Sequence, residues 1–210
     1  VFEGRTTGTP ISILVRNQDQ KSRDYSNIMN TYRPGHADYT FDAKYGFRDY
    51  RGGGRSSGRE TIGRVAAGAV ACKILESLGI QVMAYTKSIG PVSIPEQDYD
   101  YSVITDNTLY MPNNQYAEKA SAYLEECIRS QDSSGGIIEC RVDHMPAGIG
   151  ETVFEKLDAN LAKAMMSIGA VKGFEIGDGF QAAKASGSQN NDVFSSNSDG
   201  IYKETNHSGG

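Results

Sequence analysis

Apolar and polar positions repeat with two different periods along this chain, and the changes of period mark its elements. From Thr9 to Asn17, Ile11, Ile13 and Val15 alternate with Ser12, Leu14 and Arg16, which predicts a strand. Asn17 to Tyr32 is polar and reads as irregular, with at most a short turn of helix. From Gly58 the apolar spacing becomes three and four. Ile62, Val65, Ala66, Ala69 and Cys72 predict a helix running to Leu78 with that face inward. Ser57-x-x-Glu60 fits a capping box and sets its start. Gln81–Tyr85 reads as a short strand, and Gln115–Ser130 as a second helix burying Ala117, Ala120, Leu124, Cys127 and Ile128. Ile137–Val142 is another strand, after which MPAGIGE turns the chain. Phe154, Leu157, Leu161, Met165 and Ile168 form the apolar stripe of a third helix, with Gly169 in the position of a C′ glycine. Val171–Ile176 reads as a last strand, followed by the turn Gly177-Asp178-Gly179.

Two stretches carry no such period. Residues 88–114 hold Pro91, Pro95 and Pro112 and are expected to be a variable, lid-like loop. Residues 185–210 are rich in Ser, Asn and Gly and are expected to be poorly ordered. The alternation of strands and helices predicts an α+β or α/β sandwich, and 210 residues suffice for a single domain with one core. The three cysteines, Cys72, Cys127 and Cys140, lack CxxC spacing and read as thiols of a reducing compartment. No apolar run reaches the ~18 residues of a membrane span, and no secretory signal opens the chain.

Charge singles out one region. Residues 33–68 carry +3, whereas the rest of the chain carries −8. A basic island in an acidic protein points to a small anionic ligand more than to a nucleic-acid face. Within it Gly52, Gly53 and Gly54 lead through Arg55, Ser56 and Ser57 into the helix start. Such a loop can offer an anion free backbone N–H groups and the positive end of a helix dipole. The same residues fit an ordinary surface loop capping a helix. The glycine spacing resembles a P-loop, but the Lys and Ser/Thr that reach phosphate and Mg²⁺ are missing. Arg59 and Arg64 stand about 140° apart around the helix, so they border a ligand rather than share a stripe. His36 follows Pro34-Gly35 and is presented by a loop, where clustered cations favour a neutral imidazole able to relay a proton. No His/Cys/Asp set has metal-ligand spacing, so no metal is expected. RGGGR with Tyr45, Phe47 and Tyr50 hints at RNA, but a net charge of −5 and pI near 5.3 argue against it.

RPGHADYT at 33–40, KYGFRDYRGGGRSSGRET at 44–61 and RVAAGA at 64–69 resemble chorismate synthase. So do VFEG and TTGTPI at the start, DQKSRDYS at 19–26, MPAGIGE at 145–151, AVKGFEIGDGF at 170–180, GSQNND at 187–192 and the final NHSGG. The resemblance implies a β-α-β sandwich with helices packed between sheets. It also implies a cytoplasmic homotetramer, a dimer of dimers, with no membrane or nucleic-acid partner. The implied reaction is a lyase step of aromatic amino acid biosynthesis by the shikimate pathway: 1,4-anti elimination of phosphate from 5-enolpyruvylshikimate 3-phosphate, dependent on reduced FMN. Whether a flavin reductase activity, with NADP, accompanies it stays open. By the same resemblance Arg55, Ser56, Ser57, Gly169 and Ala170 contact the flavin, His36 is the acid/base catalyst, and Arg33, Arg59 and Arg64 hold the substrate's anionic groups. The helix-start argument fits an FMN phosphate or a substrate anion alike. The family's N-terminal GESHG motif and C-terminal Arg-His-Asp motif do not occur in these 210 residues. The chain is therefore expected to be an internal fragment that is inactive alone. A non-catalytic binding module on the same core is the rival reading.

Overall fold

The computed structural model describes residues 1–18, 21–51, 57–198 and 200–210, with the backbone alone for Ser22–Asp24. Where the sequence reading expects one domain, the chain divides into two compact units, residues 1–68 with 147–210, and residues 69–146. The division falls inside a helix.

The second unit is built on a three-stranded antiparallel sheet. β1 (Gln81–Ile89) lies between β2 (Val92–Ser93) and β3 (Gly136–Asp143). Its ladder with β3 is regular from Gln81↔Asp143 to Thr86↔Ile138 and shifts register before Ser88. Tyr85, opposite Glu139, donates its hydroxyl to that carboxylate, and Lys87 closes the ion pair from the same face. The Tyr85, Tyr99 and Tyr101 rings crowd that face with centroids 5.4–5.8 Å apart. Cross-strand pairs of this kind pin the register.

Residues 88–114 do not form the expected loop. They fold as β2 and two 3-10 turns, Glu96–Asp98 and Tyr101–Asp106. They also supply Ile94 and Met111 to a core shared with Ala117 and Ala120. The physical reason is Asn107. Its amide donates to Val103 O and Met111 O and its carbonyl accepts from Met111 N, replacing bonds that a regular element would make. A helix (Asn114–Arg129) then packs against this core, facing in with Ala117, Ala120 and Cys127 as expected, whereas Ile128 is exposed. Asn113 caps it, its Oδ1 accepting from Gln115 N and Tyr116 N at 3.0 and 3.2 Å.

The first unit has fewer ladders. The alternating segment 9–17 is not a strand, because no strand of the described residues pairs with it, and Ile13, Leu14 and Val15 are exposed. Nor is 171–176, which runs without ladder bonds. A 3-10 turn (Ser22–Ile28) precedes α1 (Asp38–Tyr45), a helix the sequence pattern does not show. A 3-10 turn (Gly58–Thr61) leads into α2 (Ile62–Ser77), as the spacing predicts. With α1 and α2 so defined, the helix Asn114–Arg129 is α3. The apolar stripe of α2 differs from expectation: it buries no residue, and Val65 is exposed. α4 (Leu157–Met166) starts later than its apolar stripe, leaving Phe154 outside it and 87% exposed. Residues 185–210, expected to lack order, form an antiparallel pair, β4 (Phe194–Asn197) with β5 (Gly200–Lys203). The buried Asp192 carboxylate holds the loop beyond it, accepting from Thr205 Oγ1, His207 N and Ser208 N at 2.7–3.0 Å.

Two substitutions test the second unit. Asn113→Ala removes the α3 cap and is expected to lower stability by about 1 kcal/mol, read from the denaturant midpoint. Tyr99 carries a buried hydroxyl without a hydrogen-bond partner among the described residues. Tyr99→Phe is therefore expected to leave stability unchanged or raise it by about 1 kcal/mol.

Candidate functional site

The Arg33-Pro34-Gly35-His36 sequence makes a tight turn. Gly35 sits at φ +69°, and His36 N donates to Arg33 O at 3.2 Å. Proline second and glycine third suit a turn whose third residue needs positive φ. The turn folds His36 back over Arg33 and delivers the chain to α1, whose first residue is Asp38.

Asp38 is buried, 5% exposed, and is ringed by cations. Arg33 clamps it with Nε and Nη2, both at 2.9 Å, and adds its backbone N–H at 3.1 Å. His36 Nδ1 lies 2.9 Å from Oδ1, and Arg48 Nη1 3.3 Å from Oδ2. The Arg33 hydrogen bonds hold the Asp38 carboxyl far below the usual carboxylate range, against the opposing effect of burial, with His36 reinforcing them. Arg33 in turn is pushed up by Asp38. Arg48 is itself buried. Its Nη2 reaches Ile28 O, Met29 O and Thr31 O at 2.8–3.0 Å, and its guanidinium lies 4.9 Å from the Tyr32 ring centre.

The His36 imidazole lies between Arg33 and Asp38: Arg33 Nη2 is 3.1 Å from both Nδ1 and Nε2, and Asp38 Oδ1 faces Nδ1. Asp38, which faces His36, and Arg48, which pairs with Asp38, were absent from the sequence-derived site. The available signal was an acid two residues beyond the histidine and five beyond the arginine.

Ser57, Arg59 and Arg64 lie at the start of α2. Ser57 Oγ accepts from Arg59 N at 3.3 Å, an N-cap one residue short of the bond to Glu60 N that the expected capping box requires. Glu60 does not complete it but turns forward to Arg64 Nη1 at 2.7–2.8 Å. Arg64 also reaches across 103 positions of sequence: Nη2 donates to Ser167 O at 2.9 Å and Nε to Ser167 Oγ at 3.3 Å. A guanidinium on the last carbonyls of α4 is favourable for the helix dipole. It ties the beginning of α2 to the turn Ile168–Val171, which Val171 N closes onto Ile168 O at 3.3 Å. In that turn the residue of positive φ is Ala170 at +71°, not Gly169 as the helix-ending pattern suggested. Gly169 and Ala170 are exposed, as is Arg59. Arg55 and Ser56, with the glycine run 52–54, lie outside the described residues.

The structure thus brings Arg33 together with His36, and Arg64 together with the 167–170 turn. No hydrogen bond or ion pair joins these two groups among the described residues. A further pair lies near the chain's end, His207 Nδ1 at 2.9 Å from Asp178 Oδ2, with Asp178 N donating to His207 O. Among the described residues no group of His, Cys, Asp or Glu is placed to hold a metal ion, and no helix is long and apolar enough to cross a membrane.

Asp38 yields a pH prediction. Its folded pKa is depressed, so its contribution to stability is complete above the ordinary carboxylate pKa of about 4 and is lost as pH falls below that towards the folded value. Asp38→Asn is expected to destabilise by about 3 kcal/mol near neutrality, leaving Arg48 only the more distant Asp42, at 3.7 Å, as a counter-charge, and to flatten the acid limb of a stability–pH curve.

Comparison with known proteins gives a consistent result. The family model described as chorismate synthase matches residues 1–210. The chorismate synthase of Agathobacter rectalis is 66% identical over the whole chain, which covers 57% of that protein. That of Lachnoclostridium phytofermentans is 63% identical, again over the whole chain and 58% of its own length. A crystal structure of chorismate synthase superposes with a TM-score of 0.74 at 32% identity, covering 81% of this chain and 56% of that one. The α+β fold is therefore of the chorismate synthase type. The chain spans about 57% of the length of the curated relatives it matches. It belongs to the chorismate synthase family.

Proposed function

We propose that the polypeptide carrying these residues converts 5-enolpyruvylshikimate 3-phosphate to chorismate and phosphate, with reduced FMN, as a cytoplasmic homotetramer. In the 1,4-anti elimination a proton leaves one end of the reacting system and the phosphate the other, without net redox change. The observation that carries the reading is the Arg64–Ser167 link. It joins Arg64, seven residues beyond Ser57, to Ser167, two residues before Gly169, and so supports the family resemblance's assignment of these two distant segments to one ligand.

These residues fit a flavin. Ser57 supplies a hydroxyl and the start of a helix, the exposed Gly169 has open space where a Cβ would stand, and Arg59 adds an exposed cation in the first turn. Arg55, Ser56, Ser57, Gly169 and Ala170 would hold it. The chemistry supplied by bound reduced FMN is the loan of an electron to the substrate and its return.

The protein's part is to orient, neutralise charge and move a proton. His36 holds and releases a proton, while Asp38 Oδ1, 2.9 Å from Nδ1, helps to orient the ring. That exchange requires Arg33 Nη2 to withdraw from the ring nitrogens. Substrate anions supply the reason, since a phosphate and two carboxylates compete for guanidinium groups. Arg33 and Arg59 serve as substrate ligands. Arg64 has all three guanidinium nitrogens engaged by Glu60 and Ser167, which favours its positioning the flavin turn over direct substrate contact.

The test is an anaerobic assay of a full-length protein carrying these residues, with 5-enolpyruvylshikimate 3-phosphate and dithionite-reduced FMN. His36→Ala is expected to lower kcat by about 100-fold or more while the fold is retained. An unchanged kcat would refute the role of His36, and absence of chorismate from the parent protein would refute the activity. The 210 residues alone, at 57% of a relative's length, are expected to bind FMN weakly at most and to form no chorismate. Steady turnover by them would overturn that expectation.

A further inference from the structure

α2 ends beside the strand it feeds. Gly79, at φ +81°, stops the helix, and Ile80 N turns back to Leu75 O at 3.0 Å. β1 then begins at Gln81. Cys72, Leu75 and Glu76 are spaced three and four apart and so share one face of α2. That face meets the start of β1, where the same three residues line a pocket with Ile80, Gln81 and Val82.

The register of the sheet brings a second thiol to the same place. Val82 stands opposite Val142 and Ala84 opposite Cys140, so these four side chains project from one face of the sheet. Val82, which lines the pocket with Cys72, is the diagonal neighbour of Cys140, a spacing of about 7–8 Å between Cα atoms. Ala84, directly across from Cys140, is too short to fill the space between that thiol and the helix. Partial burial, and after it the charge of Cys72, push the Cys140 thiol up, and a like charge acts this way at close range. Both are free thiols. The third, Cys127, is buried on the inward face of α3.

We propose that Cys72 and Cys140 form a redox couple that closes to a disulfide within the chain on meeting hydrogen peroxide. The Cys72 thiolate attacks a peroxide oxygen, the O–O bond breaks and hydroxide leaves, giving the Cys72 sulfenic acid. The Cys140 sulfur then attacks Cys72 Sγ, the Sγ–Sγ bond forms, and the sulfenic oxygen departs as water. Two thiols have lost two protons and two electrons, and one peroxide has become two waters. Cys140, the thiol held protonated, suits the resolving part, and a resolving thiol beside the sulfenic acid stops oxidation at the reversible step. On the function proposed above the oxidant has a local source, because reduced flavin left to dioxygen yields hydrogen peroxide. The pairing of the thiols does not depend on it. The bridge ties α2 to β3 across a long stretch of sequence and is reopened by a dithiol reductant.

The test treats a full-length protein carrying these residues, reduced and then freed of reductant, with hydrogen peroxide. The expected product is a chain lighter by two hydrogen atoms, with a new linked peptide joining Cys72 to Cys140. Alkylation of both by iodoacetamide in denaturant is expected to fall at least about tenfold and to return with dithiothreitol, while Cys127 alkylates as before. The link is expected to persist in Cys127→Ser and to vanish in Cys72→Ser and in Cys140→Ser. Should a serine variant not fold, phenylarsine oxide reads the same proximity in the unaltered reduced protein. Its trivalent arsenic is expected to bridge Cys72 and Cys140 and to shield both from iodoacetamide. A link from either thiol to any other cysteine, oxidation of Cys72 to the sulfinic acid with Cys140 still free, or an arsenical that fails to bridge the pair overturns the proposal. None of these readouts requires chorismate formation, so failure here and failure of the proposed function are told apart.

Discussion

One buried carboxylate organises the first unit. Asp38 takes two guanidiniums and an imidazole onto two oxygens, and the two guanidiniums also hold something else. Arg48 gathers the carbonyls at the end of the Ser22–Ile28 turn, and Arg33 closes the Pro-Gly turn and lies against the His36 ring. A buried charge is tolerable only when it is paired and hydrogen-bonded, so the parts of this cluster are interdependent. The ring orientation of His36, and with it any proton chemistry there, follows from an electrostatic requirement of α1.

The second group of site residues rests on a different device. Arg64 joins the start of one helix to the end of another, and the turn beyond carries an alanine in a backbone region that suits glycine. Conformations of this kind cost of order 1 kcal/mol and persist where the surroundings determine them. Here the surroundings include the Arg64 bonds to Ser167 and the closed turn at Ile168–Val171. The second unit relies instead on a small apolar core and on side-chain amides, Asn107 and Asn113, that stand in for missing backbone partners.

Apolar position proved a poor guide to burial in the first unit. α2 forms where its spacing places it, yet Ile62 and Val65 remain exposed, and the alternating segment 9–17 has no neighbouring strand. Periodicity records which face a segment is able to bury, whereas burial itself needs a partner surface. A helix makes its own hydrogen bonds and shows its period without that partner, but a strand does not. This is why α2 and α3 were legible while 9–17 and 171–176 were misread. α1 escaped notice because DYTFDAKY has almost no apolar face, and its start is set by charge.

By itself the sequence determined the helix start at Ser57, the helix over 115–130, the β1 and β3 segments, the presentation of His36 by a Pro-Gly turn, and the family, because these depend on local spacing or on long motifs. The tertiary structure alone decided that Asp38 gathers Arg33, His36 and Arg48, that Arg64 binds Ser167, and that residues 88–114 build a core. Those outcomes depend on which distant groups meet. A charge or an amide carries no mark of its partner in the linear order of residues.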